Sequence, residues 1–553
     1  MRAPLWLVRV GLVAFPSLVP LLTRSPQAQG VPADHGTIVI AVGTLATLPV
    51  PTVITGRWNQ DVSDLLFLKL ARLGPELATG GDKRFVPQLA KSWTRRDSLT
   101  LVFELDPRAR WHDGTPVTSR DVVFTFRRTL EPGVDPQRAL LLRYLASVTE
   151  EGPQRVVFRF SRAYSEQLYD AVYHVQPLPA HLADSIPYAR FATSSFAQHP
   201  IGNGPYKWVA LVPGQRLELV ANPDFFLGAP KLDRVVFVEA RDPEAQLNLV
   251  LSGTADALEN VVPVTNIPRV AENPSFRMLQ VPSFTVSYLL FNQLSRSDRS
   301  LPHPILADSL VRLAIALALD RATLVKNVFG DYGAVPYGPV AILSWVRDPK
   351  VKPLAQDTAR ARALLRSRGW VDTNSDGILE RNGVPLVLDL NYPVTSAPRK
   401  QMALGIQEQL RRIGIKVELV GMEGAAWNEA RNRHDFDIDF SSVGLDPSPA
   451  GLIQSWSCEG LSGTNVGGYC DPRVDSLLNQ GIFARKDALP IWRRAVQQIE
   501  QDVPAVFIYA PIYAFAVHRR YAHVNIRPEG WWAALGEWSV TPGQQLERDR
   551  ASP

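Results

Sequence analysis

Only two of the 553 residues are cysteine, and no second long apolar run follows the one near the N-terminus. Two cysteines exclude a disulfide-dense scaffold, and the missing run excludes a chain that crosses a membrane repeatedly. The motifs HExxH, GxSxG, GxxxxGK[ST] and paired CxxC are all absent, which removes the common metalloprotease, serine-hydrolase and P-loop readings. The nine histidines are scattered singly, and no fixed-period repeat is visible. A strong charge of one sign is lacking too. The net charge is +5, but the first 30 residues supply Arg2, Arg9 and Arg24 with no acid, which leaves +2 for the rest. A near-neutral chain gives no electrostatic case for nucleic acid.

What is present is a large globular composition, 46% apolar and 20% charged, in a chain longer than one hydrophobic core usually supports. Two or three domains are expected. Residues 1–30 read as a secretory signal: Arg2 and Arg9 lead an apolar run from Val10 to Leu22, and Ala28-Gln29-Gly30 places small residues where cleavage requires them. Pro16 and Pro20 make that run a poor membrane-spanning helix. Cys458 and Cys470 have eleven residues between them. In an exported chain they are most simply a disulfide, which would stabilise by about 3 kcal/mol on the loop-entropy model. Zinc is the weaker alternative, because CxxC spacing is missing and His434 lies far upstream.

Along the chain, Thr37 to Val42 is a buried strand candidate and Leu101 to Leu105 another, followed by a helix opened by Thr118 and Asp121. Gly202 and Gly204 flank Asn203 before a hairpin whose turn is Val212-Pro213-Gly214-Gln215. Glycines there allow dihedrals that other residues avoid, so this stretch is expected to be a hinge crossing between lobes, with a second crossing at Gln280 to Asn292. Asp308 to Gly330 reads as one long helix with Val311, Ile315 and Leu319 on one face. Leu386 to Val420 is a clear βαβ unit: alternating Leu386, Leu388 and Leu390, then a stripe of Met402, Ile406, Leu410 and Ile413, then Gly414 and Val417, Leu419. An α/β fold follows.

Five words in order resemble the family 5 extracellular solute-binding proteins, the peptide, dipeptide and nickel-binding receptors of ABC importers. They are WHDGTPVT at Trp111 to Thr118 with Asp121-Val122, IGNGPY at Ile201 to Tyr206, NPDFF at Asn222 to Phe226, YLLFN at Tyr288 to Asn292, and VRLAIA at Val311 to Ala316 with Asp320-Arg321. The resemblance implies a two-lobed periplasmic-binding-protein fold of type II, cluster C-like, with an extra inserted domain. It divides the chain into lobe I (31–59, 201–284 and 506–545), an inserted domain II (60–200), lobe III (285–505) and a loose tail (546–553). It implies a monomeric periplasmic receptor, without a lipoprotein cysteine, that hands a peptide or other small solute to ABC permease subunits. No cofactor and no catalysis are expected. A secreted peptide or glycan hydrolase, and a nickel-chelate or haem receptor of the same fold, are the alternatives.

In peptide-binding relatives an aspartate at the place of Asp446 pairs with the ligand's α-ammonium, although the family's tryptophan three positions earlier is Val443 here. Large aromatics line clefts because they offer rigid area at low ordering cost. Expected ligand-facing residues are therefore Tyr288, Asn292, Trp345, Trp427, Asp446 and Trp456, with Trp370 assigned to the core. Asp372 to Gly377 copies the first half of an EF-hand loop, but Gly383 stands where the bidentate glutamate belongs, so a tight acidic turn is expected and no metal.

Overall fold

The computed structural model describes residues 35–54, 56–484 and 487–550; the expected signal segment lies outside them. One twelve-stranded mixed sheet runs through both lobes. In the first lobe Gly36–Val42 pairs in parallel with Leu232–Glu239, and the hairpin Tyr206–Val212 and Arg216–Ala221 extends that edge with Gly214 at φ +70°. In the other lobe Val387–Pro393 lies parallel to Lys416–Met422 and to Ile438–Gly444, with helix Ala397–Arg411 as the crossover. Met402, Ile406, Leu410 and Ile413 are all buried in that lobe's core, together with Trp370. A separate four-stranded antiparallel sheet, Ala90–Asp97, Thr100–Leu105, Arg155–Phe160 and Leu145–Glu150, forms a third layer.

Ala505–His518 is the strand that both lobes share. Its first half pairs with Thr285–Phe291, and its second half with Phe276–Pro282 and Ala257–Leu258. The chain therefore passes between lobes at Ser283 and at Pro511, where the Ser283 hydroxyl donates to the Pro511 carbonyl at 2.7 Å. This is the crossing expected at Gln280 to Asn292. The expected one at Ile201 to Tyr206 needs correction. Gly202 and Gly204 do not take positive φ, and a Cβ on either would collide with the carbonyl oxygens of Leu65 or Leu66. They are glycine because the segment presses on the end of helix Arg57–Leu66, where Asn203 N and Gly204 N donate to Leu66 O at 2.9 and 2.8 Å. His112 clamps the other side: its Nδ1 accepts from Gly202 N and its Nε2 donates to Gly204 O, both at 3.1 Å. Burial lowers the His112 pKa to about 4, consistent with that neutral tautomer.

Three further expectations shift. The long helix is two, Ser309–Ala318 and Arg321–Phe329, because Leu319 is extended and Asp320 accepts from Thr323 N to start the second. A boundary at residue 60 would cut helix Arg57–Leu66, and one at 506 falls inside the shared strand. Residues 546–550 of the expected loose tail are held in place, and 551–553 lie outside the described residues. Asp549 is buried, accepts from Thr37 N at 2.8 Å and meets Arg520 at 2.6 Å, while Arg520 also pairs with Asp256 at 3.0 Å.

Cys458 and Cys470 form a disulfide with a Cα separation of 4.5 Å. Replacing both by serine should lower unfolding free energy by about 3 kcal/mol in urea titration, the loop-entropy value; an unchanged midpoint would show that the closed loop adds nothing. Gly202→Ala should cost about 1–3 kcal/mol by overpacking against Leu66, while Gly80→Ala, where a Cβ meets open space, stays within about 0.5 kcal/mol. Equal stabilities for the two alanine variants would refute the close-approach explanation.

Candidate functional site

Between the lobes lies a cavity of about 480 Å³. One wall comes from the turns around helix Arg57–Leu66 and from Arg138, Tyr173 and His174; the other comes from the chain after strand Ile438–Gly444 and from residues 339–341. Most charges in it are already matched. Arg57 pairs with Asp61 at 2.8 Å, Arg138 with Asp135 at 3.2 Å, His174 with Asp170 at 3.6 Å, and Glu529 with Arg527. Two are not. Asp446 and Lys69 have no ion pair within 4.0 Å among the described residues, and they stand on opposite walls. The Lys69 ammonium sits 4.2 Å from the Tyr173 ring centroid. Burial pulls its pKa below the ordinary lysine value, while Asp64, Glu529 and Asp446 act in the opposite direction.

Beside the cavity, side chains bridge the lobes. Glu166 accepts from Ser448 Oγ at 2.7 Å and from Thr79 Oγ1, and Thr79 Oγ1 in turn accepts from Trp345 Nε1 at 3.2 Å. Ser448 and Trp345 come from the lobe opposite Glu166 and Thr79. Burial raises the Glu166 pKa from 4.5 to about 7 against the opposing pull of the two hydroxyl donors; Asp170 raises it further and His174 lowers it.

Of the residues expected to face ligand, Asp446 lines this cavity, and Trp345 lines a neighbouring opening of about 520 Å³. The other four do not line the cavity. Tyr288 and Trp456 are buried against each other and Phe507, at centroid distances of 5.6 and 5.7 Å. Asn292 is buried and donates to Phe436 O at 3.0 Å and His434 O at 3.2 Å, so its amide serves the backbone of that turn. The Trp427 indole donates to Asp439 at 2.7 Å with Arg399 over its ring. Lys69, Arg138 and Tyr173 were missed, although one signal was available: Lys69 is the lone charge in the apolar run LLFLKLA, 65–71, and lysine in such a run is seldom idle.

In the acidic turn, Glu380 comes back so that oxygens of Asp372, Asp376 and Glu380 lie within 4.8 Å of one another. Those carboxylates are engaged in the turn itself: Glu380 accepts from Thr373 N and Oγ1, and Asp372 from Ser375 N and Gly377 N.

Two α/β lobes joined by a shared strand around a polar cavity define a solute-binding protein of the periplasmic type. Residues 84–462 match the model of the bacterial extracellular solute-binding proteins, family 5 Middle, and the chain belongs to that family. It is a substrate-binding receptor of an ABC importer. The oligopeptide-binding protein AppA of Bacillus subtilis is 27% identical over 93% of this chain and 94% of its own. Its structure with a nonapeptide superposes with a TM-score of 0.78 at 25% identity, covering 92% and 99% of the two chains. The nickel-binding periplasmic protein of Escherichia coli is 27% identical over 68% of this chain and 72% of its own. No helix among the described residues is long and apolar enough to cross a membrane.

The Glu166 bridge predicts a pH dependence with a definite sign. A carboxyl whose pKa is raised by folding stabilises fully below its ordinary 4.5 and loses that contribution as pH rises through about 7. The parent should therefore weaken relative to Glu166→Gln by roughly 3 kcal/mol at most between pH 4.5 and 8, read from urea unfolding of both proteins. Parallel pH profiles would remove the bridge's titration.

Proposed function

We propose that the protein is an exported, monomeric receptor that captures a peptide or related amine-bearing solute between its lobes and presents it to permease subunits. Closure would turn about Ser283 and Pro511, with the chain from the end of helix Arg57–Leu66 to residue 200 serving as the inserted domain and no bond made or broken. The observation that carries this reading is the unpaired Asp446 carboxylate in a cavity whose other acids are matched. A micromolar ligand provides about 8 kcal/mol, enough to shift a two-state lobe equilibrium nearly completely if it contacts mainly the closed form.

Binding is favoured over hydrolysis by the lining itself. His174 is held by Asp170, and the nearby Ser448 hydroxyl donates to Glu166, so these groups do not form a nucleophile and base pair. Similarity to a receptor solved with a nonapeptide favours a peptide over a metal chelate. The near-neutral charge balance after residue 30 gives no reason to expect nucleic acid.

Asp446→Ala should cost a bound peptide about 2–5 kcal/mol in calorimetry, the usual loss when one partner of a desolvated charge pair is removed. Parental affinity in the variant would take away the residue on which the peptide reading stands.

A further inference from the structure

The first lobe and the inserted domain share one core. A single buried cluster joins Ile38, Leu217 and Trp532 of the lobe to Phe103, Phe126 and Phe158 of the domain, whereas the lobe at 285–505 has clusters of its own. Close packing across that join makes lobe and domain one body. The other lobe nevertheless reaches this body at a place away from the shared strand. Ala341, Leu343 and Phe483 join or pack onto its core, and Tyr144 packs in return onto a core of the other lobe. Phe483 meets Tyr144 and Tyr164 edge to face, at 5.2 and 6.5 Å between ring centroids, with Arg162 over its own ring at 5.2 Å. The hydrogen bonds from Trp345 to Thr79, from Thr79 to Glu166 and from Ser448 to Glu166 cross between the same two bodies. Rings and hydrogen bonds meet at a gap of only about 30 Å³, lined by Tyr144, Tyr164, Glu166 and Ser448, so the contact is close-packed.

We propose that the inserted domain is a clasp: it grips the lobe at 285–505 through Phe483 and the Thr79–Glu166 hydrogen bonds, and so holds the two bodies closed over the interlobe cavity. The proposal rests on the lobe-closure reading and gives the inserted domain a task within it. The crossings at Ser283 and Pro511 fix where the bodies are joined but not the angle between them, and a second attachment away from the crossings fixes that angle. Asp446 and Ser448 line both the small gap and the cavity of about 480 Å³, so the clasp forms one edge of that cavity and its release opens it. Phe483 and Thr79 line no part of the cavity, which separates their task from ligand contact. The chemistry suits a contact that must release. Hydroxyl donors to a carboxylate exchange readily for water, so each bond contributes little net stability, and a few edge-to-face rings add a modest further amount.

The test is a distance measurement on the purified full chain by pulsed electron paramagnetic resonance, with no ligand added. Spin labels are carried by cysteines introduced through Arg190→Cys on the inserted domain and Arg494→Cys on the other lobe, both exposed positions, while Cys458 and Cys470 stay paired and unlabelled. The parent should show mainly one short separation. Phe483→Ala should raise the ratio of long to short separations by about tenfold, the size of losing two aromatic contacts. Thr79→Val, which keeps the volume and removes the hydroxyl, should raise it by about fivefold. Gly202→Ala strains the other body without touching the clasp and should leave the ratio unchanged. If Phe483→Ala fails to fold, Thr79→Val decides alone. A parent with two separations whose ratio neither variant moves would overturn the clasp and leave lobe closure standing. One separation, identical in the parent and both variants, would remove closure and the clasp together. A mainly long separation in the parent, or an equal shift in Gly202→Ala, would also overturn the clasp, because the contact would then not be holding the bodies or the shift would report general loosening.

Discussion

The backbone pairing of Ala505–His518 with both lobes is the constraint on which the architecture depends. A strand cannot leave a sheet without surrendering its ladder hydrogen bonds, so the lobes are joined through a continuous sheet rather than a slack linker. The pairing partners change at Ser283 and Pro511, the two positions about which the proposed closure would turn. Proline gives no amide to the ladder, and the Ser283 side chain supplies a hydrogen bond to Pro511 where the regular register ends. The cavity lies across this seam, with residues of both lobes in its walls.

How much of this could be read in advance depended on whether a feature is local. The βαβ unit at 386–420 was legible because period two and period 3.6 alternate cleanly, with Gly414 stopping the helix at φ +86°. The hairpin after Ile201 was legible from its turn. The break at Leu319-Asp320 was not, because no proline or glycine marks it; Asp320 was read as one more helical residue when it is a cap. Gly202 and Gly204 illustrate a different limit. Glycine was correctly singled out, but sequence cannot distinguish a residue that needs positive φ from one whose missing Cβ makes room for a neighbouring carbonyl, here Leu66.

The site was the least legible part for the same reason. Its walls come from residues near 57–69, 135–141, 173, 339–341, 443–455 and 529, and periodicity within any one segment says nothing about the others. Aromatic residues were expected to face the ligand on grounds of type and of their place in the second half of the chain. Tyr288, Trp427 and Trp456 instead serve packing or hold a buried acid, because a large ring beside a sheet is more often enclosed by it than presented from it. Asp446 was accessible only through family resemblance.

The two most informative cations in the molecule make the difference between structure and function physical. Arg520 is buried with Asp256, Asp549 and the Thr37 carbonyl around it, so its charge is compensated within the fold and ties the turn Glu547–Asp549 to strand Gly36–Val42. Removing one partner there would strand a charge in the core. Lys69 is half-buried at the cavity wall instead, with no ion pair within 4.0 Å among the described residues, and its charge is offset by the Tyr173 ring and, at longer range, by Asp64, Glu529 and Asp446. Arg520 is thus closed off from solvent by fixed partners, whereas the Lys69 ammonium is held without a close ion pair at a cavity wall, so the two cations differ in what surrounds them rather than in their chemistry.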